Sequence, residues 1–438
     1  MDFNNNKTEE TKAEETKTEG FDASETVSEV KTYSQEDEKK LRRRFISGVL
    51  IGTMCTAFVC AAVTMALQYV SFGSRDQYGI MNDETALKIK RLEALIDSCY
   101  YKTDVDKEKE RDGLYRGLLD SLGDPYSEYY SEQDLVNFHN DTEGIYYGIG
   151  AFIGMDTDLR LPRISKVIPG TPAEEAGLMV DDIISEINKE SVQGLSTEEV
   201  VSKIKGEEGT TVHLTLERIG EKSSVEVDVY RKKIEVPTVS TEMLDDGIGY
   251  LQLTEFDEVT YNQFVEGMAQ LKADDMKGLI IDLRGNPGGS LTTVCDIADQ
   301  LIPKGNTIVY TVDRDGKRVD YTCTKDNKIE IPLVLLVDGY SASASEILAG
   351  AIKDYELGKL VGTTTFGKGI VQSIYDLNDG TAIKLTVSSY FTPNGNNIHG
   401  IGIEPDVEVK FDAEAYKEDG TDNQLDKAVE VIKELLDK

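Results

Sequence analysis

Ser343 lies at the centre of a cluster, Ser341-Ala342-Ser343-Ala344-Ser345, where one sequence pattern ends and another begins. Before it, Pro332 to Val337 is an unbroken apolar run closed by Asp338-Gly339, which reads as a core strand and its turn. After it, Ile347, Leu348, Ala351, Ile352 and Tyr355 recur at helical spacing, so the serines fall at a helix N-terminus. A serine on a strand-to-helix turn projects its hydroxyl from the rim of a sheet, where the free N–H groups of the first helical turn can hold a developing negative charge. That is an address for an acyl-transfer nucleophile. It is also an address for an ordinary helix cap, and the choice requires a base.

Two segments offer one. Lys359 to Gly369, K-L-V-G-T-T-T-F-G-K-G, meets most of a phosphate-loop pattern over Gly362 to Lys368, but Gly369 stands where Ser or Thr should hold magnesium. The next residues, Ile370 to Tyr375, alternate like a strand, whereas a phosphate loop must open a helix. As a regular strand this segment puts Lys368 and Gln372 on one face. A lysine acts as a base only when desolvation lowers its pKa, and Phe366, Ile370 and the glycines suit that. The alternative base is His399, in a Gly- and Asn-rich turn, with Asp406 or another acid as its partner. His213 sits in an alternating strand and reads as structural.

The elements that must position these groups read as α/β. Gly249 to Leu253 is a strand and Tyr261 to Leu271 a helix, and Gly278 to Arg284 is a buried strand ending in G-N-P-G-G. Thr292 to Leu301 is a helix, and Thr307 to Tyr321 is a hairpin about Asp315-Gly316. Upstream, Tyr146 to Lys233 alternates strands with two short helices and carries Y-Y-G-I-G, P-A-E-E-A-G-L and D-D-I-I-S-E-I-N in order. This stretch resembles a PDZ domain. The resemblance implies that Tyr147, Gly148, Ile149 and Gly150 form the loop whose N–H groups receive a peptide's terminal carboxylate.

Ser341 to Ile347, then Thr365-Phe366-Gly367-Lys368-Gly369 and Gln372, resemble the C-terminal processing (tail-specific) serine peptidases, over a span from Glu84 to the C-terminus. The block Asn394 to Asp406 is also similar to that family's core. The resemblance implies a mixed α/β (α+β) catalytic core with an inserted PDZ domain, Ser343 as nucleophile, Lys368 as general base and Gln372 as the residue that orients it. It further implies an oxyanion hole from Ala344 and one of Gly288 and Gly289, peptide or protein substrates bound by their C-terminus, and a homodimer. Ser341 and Ser345 are expected to support the turn. Relatives often carry arginine where Lys205 stands, and in some it contacts the catalytic glutamine when the PDZ domain docks. Lysine is a poorer bidentate donor for such a contact.

Composition sets the surroundings. A net charge of -34 over 438 residues excludes a basic nucleic-acid-binding face. The five cysteines form no disulfide framework or paired metal motif, so neither a metal nor another cofactor is expected. Residues 1–40 are Glu-, Lys-, Thr- and Ser-rich and read as a disordered acidic tail. Phe45 to Val70 contains no charge or proline and is long enough for a single transmembrane helix. Lys39, Lys40, Arg42, Arg43 and Arg44 precede it, which predicts a cytoplasmic N-terminus and an extracytoplasmic catalytic domain at the cell membrane. The predicted domains are then a helical module at 80–143, the PDZ domain at 146–233, the peptidase core at 234–412 and an amphipathic C-terminal helix at 421–438. That helix is expected to pack on the helical module of a second subunit.

Overall fold

The computed structural model of the chain describes residues 79–326 and 329–438. The acidic tail and the apolar segment Phe45 to Val70 lie outside the described residues. Among the described residues no helix is long and apolar enough to cross a membrane. The chain divides into a unit ending at Val105 and a unit from Asp106 to Lys438. In the first, helix α1 (Asp83–Cys99) begins at Asn82, whose side chain accepts the Thr85 N–H at 2.9 Å.

The second unit opens with α2 (Lys107–Asp120), β1 (Glu128–Tyr130), α3 (Glu132–Glu143) and β2 (Ile145–Gly148). Ser131 and Asp134 form a reciprocal capping box on α3, and Gly144 ends it in the left-handed region at φ 69°. The PDZ domain comes next as β3 (Ala151–Met155), β4 (Pro162–Val167), α4 (Pro172–Glu175), β5 (Ile183–Ile187), β6 (Glu190–Ser191), α5 (Thr197–Ile204), β7 (Thr211–Glu217) and β8 (Val225–Tyr230). Its sheet order is β3-β4-β5-β7-β8, with β6 on β5. Ile164, Ile184, Val200, Leu214 and Leu216 form a core of its own. The exit strand β9 (Lys232–Glu235) pairs antiparallel with the entry strand β2, so the domain hangs on a two-stranded connector.

The catalytic core is built from β10 (Val239–Leu244), β11 (Ile248–Leu253), α6 (Thr260–Ala273), β12 (Gly278–Asp282), α7 (Leu291–Ala298), β13 (Thr307–Asp313) and β14 (Arg318–Thr322). It continues through β15 (Leu333–Val337), α8 (Ala344–Asp354), β16 (Lys359–Gly362), β17 (Ile370–Asp376), β18 (Ala382–Phe391), β19 (Val407–Glu408), α9 (Ala413–Asp419) and α10 (Asn423–Leu436). The central sheet runs β10-β11-β12-β15-β16-β19 and is parallel from β11 onward. Its strands are continuous apolar runs because both faces are covered. Leu279, Ile281, Leu333, Leu335 and Val337 face a core shared with α6, α7 and α8. Ile280, Val334 and Leu336 face the opposite side and meet Ala428, Val431 and Ile432 of α10.

The C-terminal helix therefore spends its apolar stripe on its own sheet, which corrects the expectation that it packs on another subunit. Pattern alone cannot say which apolar surface a stripe covers, and here the second face of the sheet was bare without it. In the second sheet β18 pairs with β1, β13 and β17, which ties β1 and the helices flanking it, α2 and α3, to this sheet.

Candidate active site

Ser343 ends the β15-to-α8 turn with φ 53° and ψ -111°, a left-handed conformation that is strained for a residue with a Cβ. The turn is held from every side. Tyr390 donates its hydroxyl to the Ser343 carbonyl at 3.1 Å, and the Ser343 N–H donates to Glu346 Oε2 at 2.9 Å. Ser341 Oγ donates to the Leu283 carbonyl at 2.8 Å and Ser345 Oγ to the Asn286 carbonyl at 3.0 Å, so both flanking serines are engaged in the turn.

The Gly288-Gly289 loop packs directly on this elbow. A Cβ on Gly288 would stand 2.7 Å from Ser343 Cβ and 2.9 Å from the Ala344 nitrogen, so only glycine fits. Asn286 Oδ1 takes the Gly288 N–H at 2.8 Å. Phe256 pins the loop from its other edge, donating its N–H to the Gly288 carbonyl at 2.8 Å and accepting the Ser290 N–H at 2.7 Å. The Gly288 N–H is thus committed within the loop, while those of Gly289 and Ala344 are bonded to no group among the described residues. A pair of free N–H groups beside a serine hydroxyl can stabilise an oxyanion.

Lys368 and Gln372 line the same cavity of about 380 Å³ as Ser343, Ala344 and Gly289. They do so although the strand is irregular, with a register shift between Val371 and Gln372 where it pairs with β18. Burial, and secondly the charge of Lys384, lower the Lys368 pKa from its ordinary value. Phe366, expected to shield the lysine, is itself 54% exposed. The shield comes from the helical module instead, where the Tyr126 ring lies 4.6 Å from the Lys368 Nζ. The Gln372 amide donates to Thr386 Oγ1 at 3.2 Å, and among the described residues Lys368 Nζ bonds neither to it nor to Ser343.

Glu346 is the organising side chain that sequence reasoning missed. It is fully buried and accepts from the Ser343 N–H, the Thr365 hydroxyl at 2.6 Å, the Gly367 N–H at 2.7 Å and the Lys368 N–H at 2.8 Å. One carboxylate therefore fixes the Ser343 turn to the Lys368 loop. Its place in the serine cluster was visible, but its donors lie about twenty residues downstream.

His399 is exposed, lies outside the cavity lining and shares no hydrogen bond with Ser343 or Asp406. Asp406 accepts the Leu360 N–H at 2.8 Å and sits 3.6 Å from Lys359. The two do not form a dyad.

In the PDZ region Tyr147 and Gly148 belong to β2, in register with Lys233 and Lys232, which leaves Ile149 and Gly150 in the turn toward β3. Gly150 has φ +87° and packs on Thr171, whose hydroxyl donates to the Ile168 carbonyl at 2.6 Å. Burial pushes the pKa of Tyr146, on β2 just before this turn, up to about 12. Lys205 Nζ lies over the Tyr146 ring at 5.4 Å and makes no contact with Gln372 among the described residues.

Comparison with known proteins gives one answer. Residues 247–409 match Peptidase family S41 and residues 163–218 match a PDZ domain. The chain is 37% identical to the carboxy-terminal processing protease CtpB of Bacillus subtilis (strain 168), over 75% of this chain and 68% of that protein. It is 35% identical to CtpA of the same organism, over 82% of this chain and 76% of that protein. A solved structure from Bacteroides fragilis NCTC 9343, assigned to the S41 proteases, superposes with a TM-score of 0.50 at 19% identity, covering 73% of this chain and 90% of that one.

Proposed function

The chain belongs to peptidase family S41, among the carboxy-terminal processing serine proteases, and on that premise we propose that it cuts polypeptides with Ser343 as nucleophile and Lys368 as general base. The observation that carries this reading is a strained serine, two free N–H groups and a desolvated lysine in one cavity. Lys368 must leave the Tyr126 ring to reach Ser343. Once there and neutral, it takes the hydroxyl proton as Oγ attacks the scissile carbonyl, and it returns that proton to the leaving amine. Ala344 and Gly289 hold the oxyanion, and Gly288 supplies the close fit. Water then releases the acyl group by the same route. Gln372 orients the lysine through its amide oxygen, while its amide N–H stays on Thr386 Oγ1.

The glycine loop, with Tyr147 and Gly148 on its connector side and Ile149 and Gly150 at the turn, captures the C-terminal carboxylate of the substrate. The apolar segment Phe45 to Val70 anchors the chain in the cell membrane, with the basic cluster before it on the cytoplasmic side. A homodimer uses the exposed Leu114, Leu118 and Leu122 of the helical module.

The test is turnover of an unfolded protein by purified full-length chain. Ser343→Ala and Lys368→Ala should each lower the rate by at least about 10³-fold, in the range seen when a triad member is removed. His399→Ala should leave the rate within about twofold, since positions outside the reacting groups carry little of the barrier. Activity retained by either of the first two variants removes the assignment.

A further inference from the structure

One wall of the catalytic cavity carries acidic groups that no cation among the described residues answers. Asp257 is only 5% exposed and lines the cavity with Ser343, yet its carboxylate has no hydrogen-bond or ion-pair partner among the described residues. It is fixed in place. Its N–H donates to Thr260 Oγ1 at 3.0 Å, and its carbonyl accepts the Thr260 N–H at 3.1 Å. A Cβ on Gly144 would lie 3.0 Å from Asp257 Oδ2, so the end of α3 closes directly over it.

Asp141 from α3 and Glu255 stand at the same wall nearer the opening. Burial first, then Glu255 and Asp141, raise the Asp257 pKa to about 7, with no cation among the causes. The cavity's own lysines are engaged elsewhere, Lys368 over Tyr126 and Lys384 at 3.4 Å from Glu128. The residue is enclosed while its carboxyl opens into the cavity without a protein partner among the described residues, which leaves it available to a cationic group of a ligand.

The position of this wall relative to the chemistry is defined. Asp257 comes directly after Phe256, the residue bonded on both edges to the oxyanion loop, so it stands one residue from the Gly288-Gly289 turn. Leu291 and Ile347 line the cavity as well and offer apolar surface for an aliphatic stem. We infer that Asp257, supported by Asp141 and Glu255, forms a specificity subsite that takes the charged side chain of a substrate lysine or arginine beside the scissile bond. This rests on the reading of Ser343 as the nucleophile of a peptidase.

The test uses internally quenched peptides of one sequence carrying Lys, Arg, Gln or Glu in turn at each position flanking the cut, with amidated C-termini to exclude the PDZ loop. For the full chain, kcat/KM should be at least about tenfold higher for Lys and Arg than for Gln at one position, which is the effect of a single well-placed charge pair. Asp257→Asn and, independently, Glu255→Gln should bring the Lys-to-Gln ratio toward one. Equal kcat/KM for Lys and Gln at every position, or a preference that both variants retain, overturns the proposal. If the wild type cleaves no peptide with either an amidated or a free C-terminus, the peptidase reading falls by itself. Fluorescence anisotropy with Ser343→Ala protein then still decides the subsite, because Lys peptides must bind more tightly than Gln peptides and lose that advantage with Asp257→Asn. Equal binding of the two peptides overturns the subsite.

Discussion

Asp257 enters the folded state at a cost that depends on pH. Its pKa is about 7 in the fold, raised by burial and by Glu255 and Asp141, whereas an unfolded aspartate titrates near 4. Between those values the folded chain keeps a proton that the unfolded chain has released, so this group's contribution to stability falls as pH rises. The penalty is absent below about pH 4 and complete above about pH 7, with a ceiling of about 4 kcal/mol from a shift of about three units. Asp257→Asn should therefore raise the urea midpoint at pH 8 and leave it near the wild-type value at pH 4. An equal shift at both pH values would show that ionisation is not the cause. Glu346 is the opposite case, a buried carboxylate with four donors around it. A partnered acid organises the catalytic loops, while the unpartnered one waits for a substrate.

At the scale of elements, the sheet and its two helical coats decide what the site can be. Ile432 of α10 is fully buried and presses on Gly278, where a Cβ would meet its Cδ1 at 2.9 Å. Ile432→Ala should destabilise the chain by about 2–5 kcal/mol, the usual cost of a large cavity in a core. Chemical denaturation measures this, and a loss below about 1 kcal/mol, the level of a surface change, would mean that α10 is not integral to the fold. Such elements were legible in the sequence because their signal is local. The run Pro332 to Val337 gave a strand, and the spacing of Ile347 to Ile352 gave the helix after it. Tyr261 to Leu271 and the hairpin about Asp315-Gly316 also match the elements formed, to within a few residues. The helix Glu132–Glu143 and strand Glu128–Tyr130 were not read, since a three-residue strand is defined by its partner β18 and not by its own pattern. The same limit hid Tyr126 beside Lys368 and Asp257 beside Gly289. Each pair is made by the fold across a long stretch of chain, and neither side chain carries a local sign of its neighbour.

At the scale of the second unit, two cores are joined by a narrow connector. The PDZ domain closes its own apolar cluster, and β2 and β9 carry the chain in and out of it side by side. The glycine loop proposed to receive the carboxylate grows directly from that connector, since Gly148 is the last residue of β2. Under that proposal, occupancy of the loop would act at the root of the linkage to the catalytic core. A bound tail would have to reach that loop through its own short-range contacts. It must do so against a chain of net charge -34, which disfavours the approach of any carboxylate at long range. Recognition of a chain end must therefore come from short-range N–H donation, which an amide cannot match. Peptides identical except for a free or amidated C-terminus should differ in kcat/KM by about tenfold or more in favour of the free acid, the worth of one charge-assisted contact. The preference should widen as salt is raised from low to physiological levels, because screening removes the repulsion felt only by the free acid. Equal cleavage of both forms at every ionic strength would mean that the PDZ domain reads something other than the chain end.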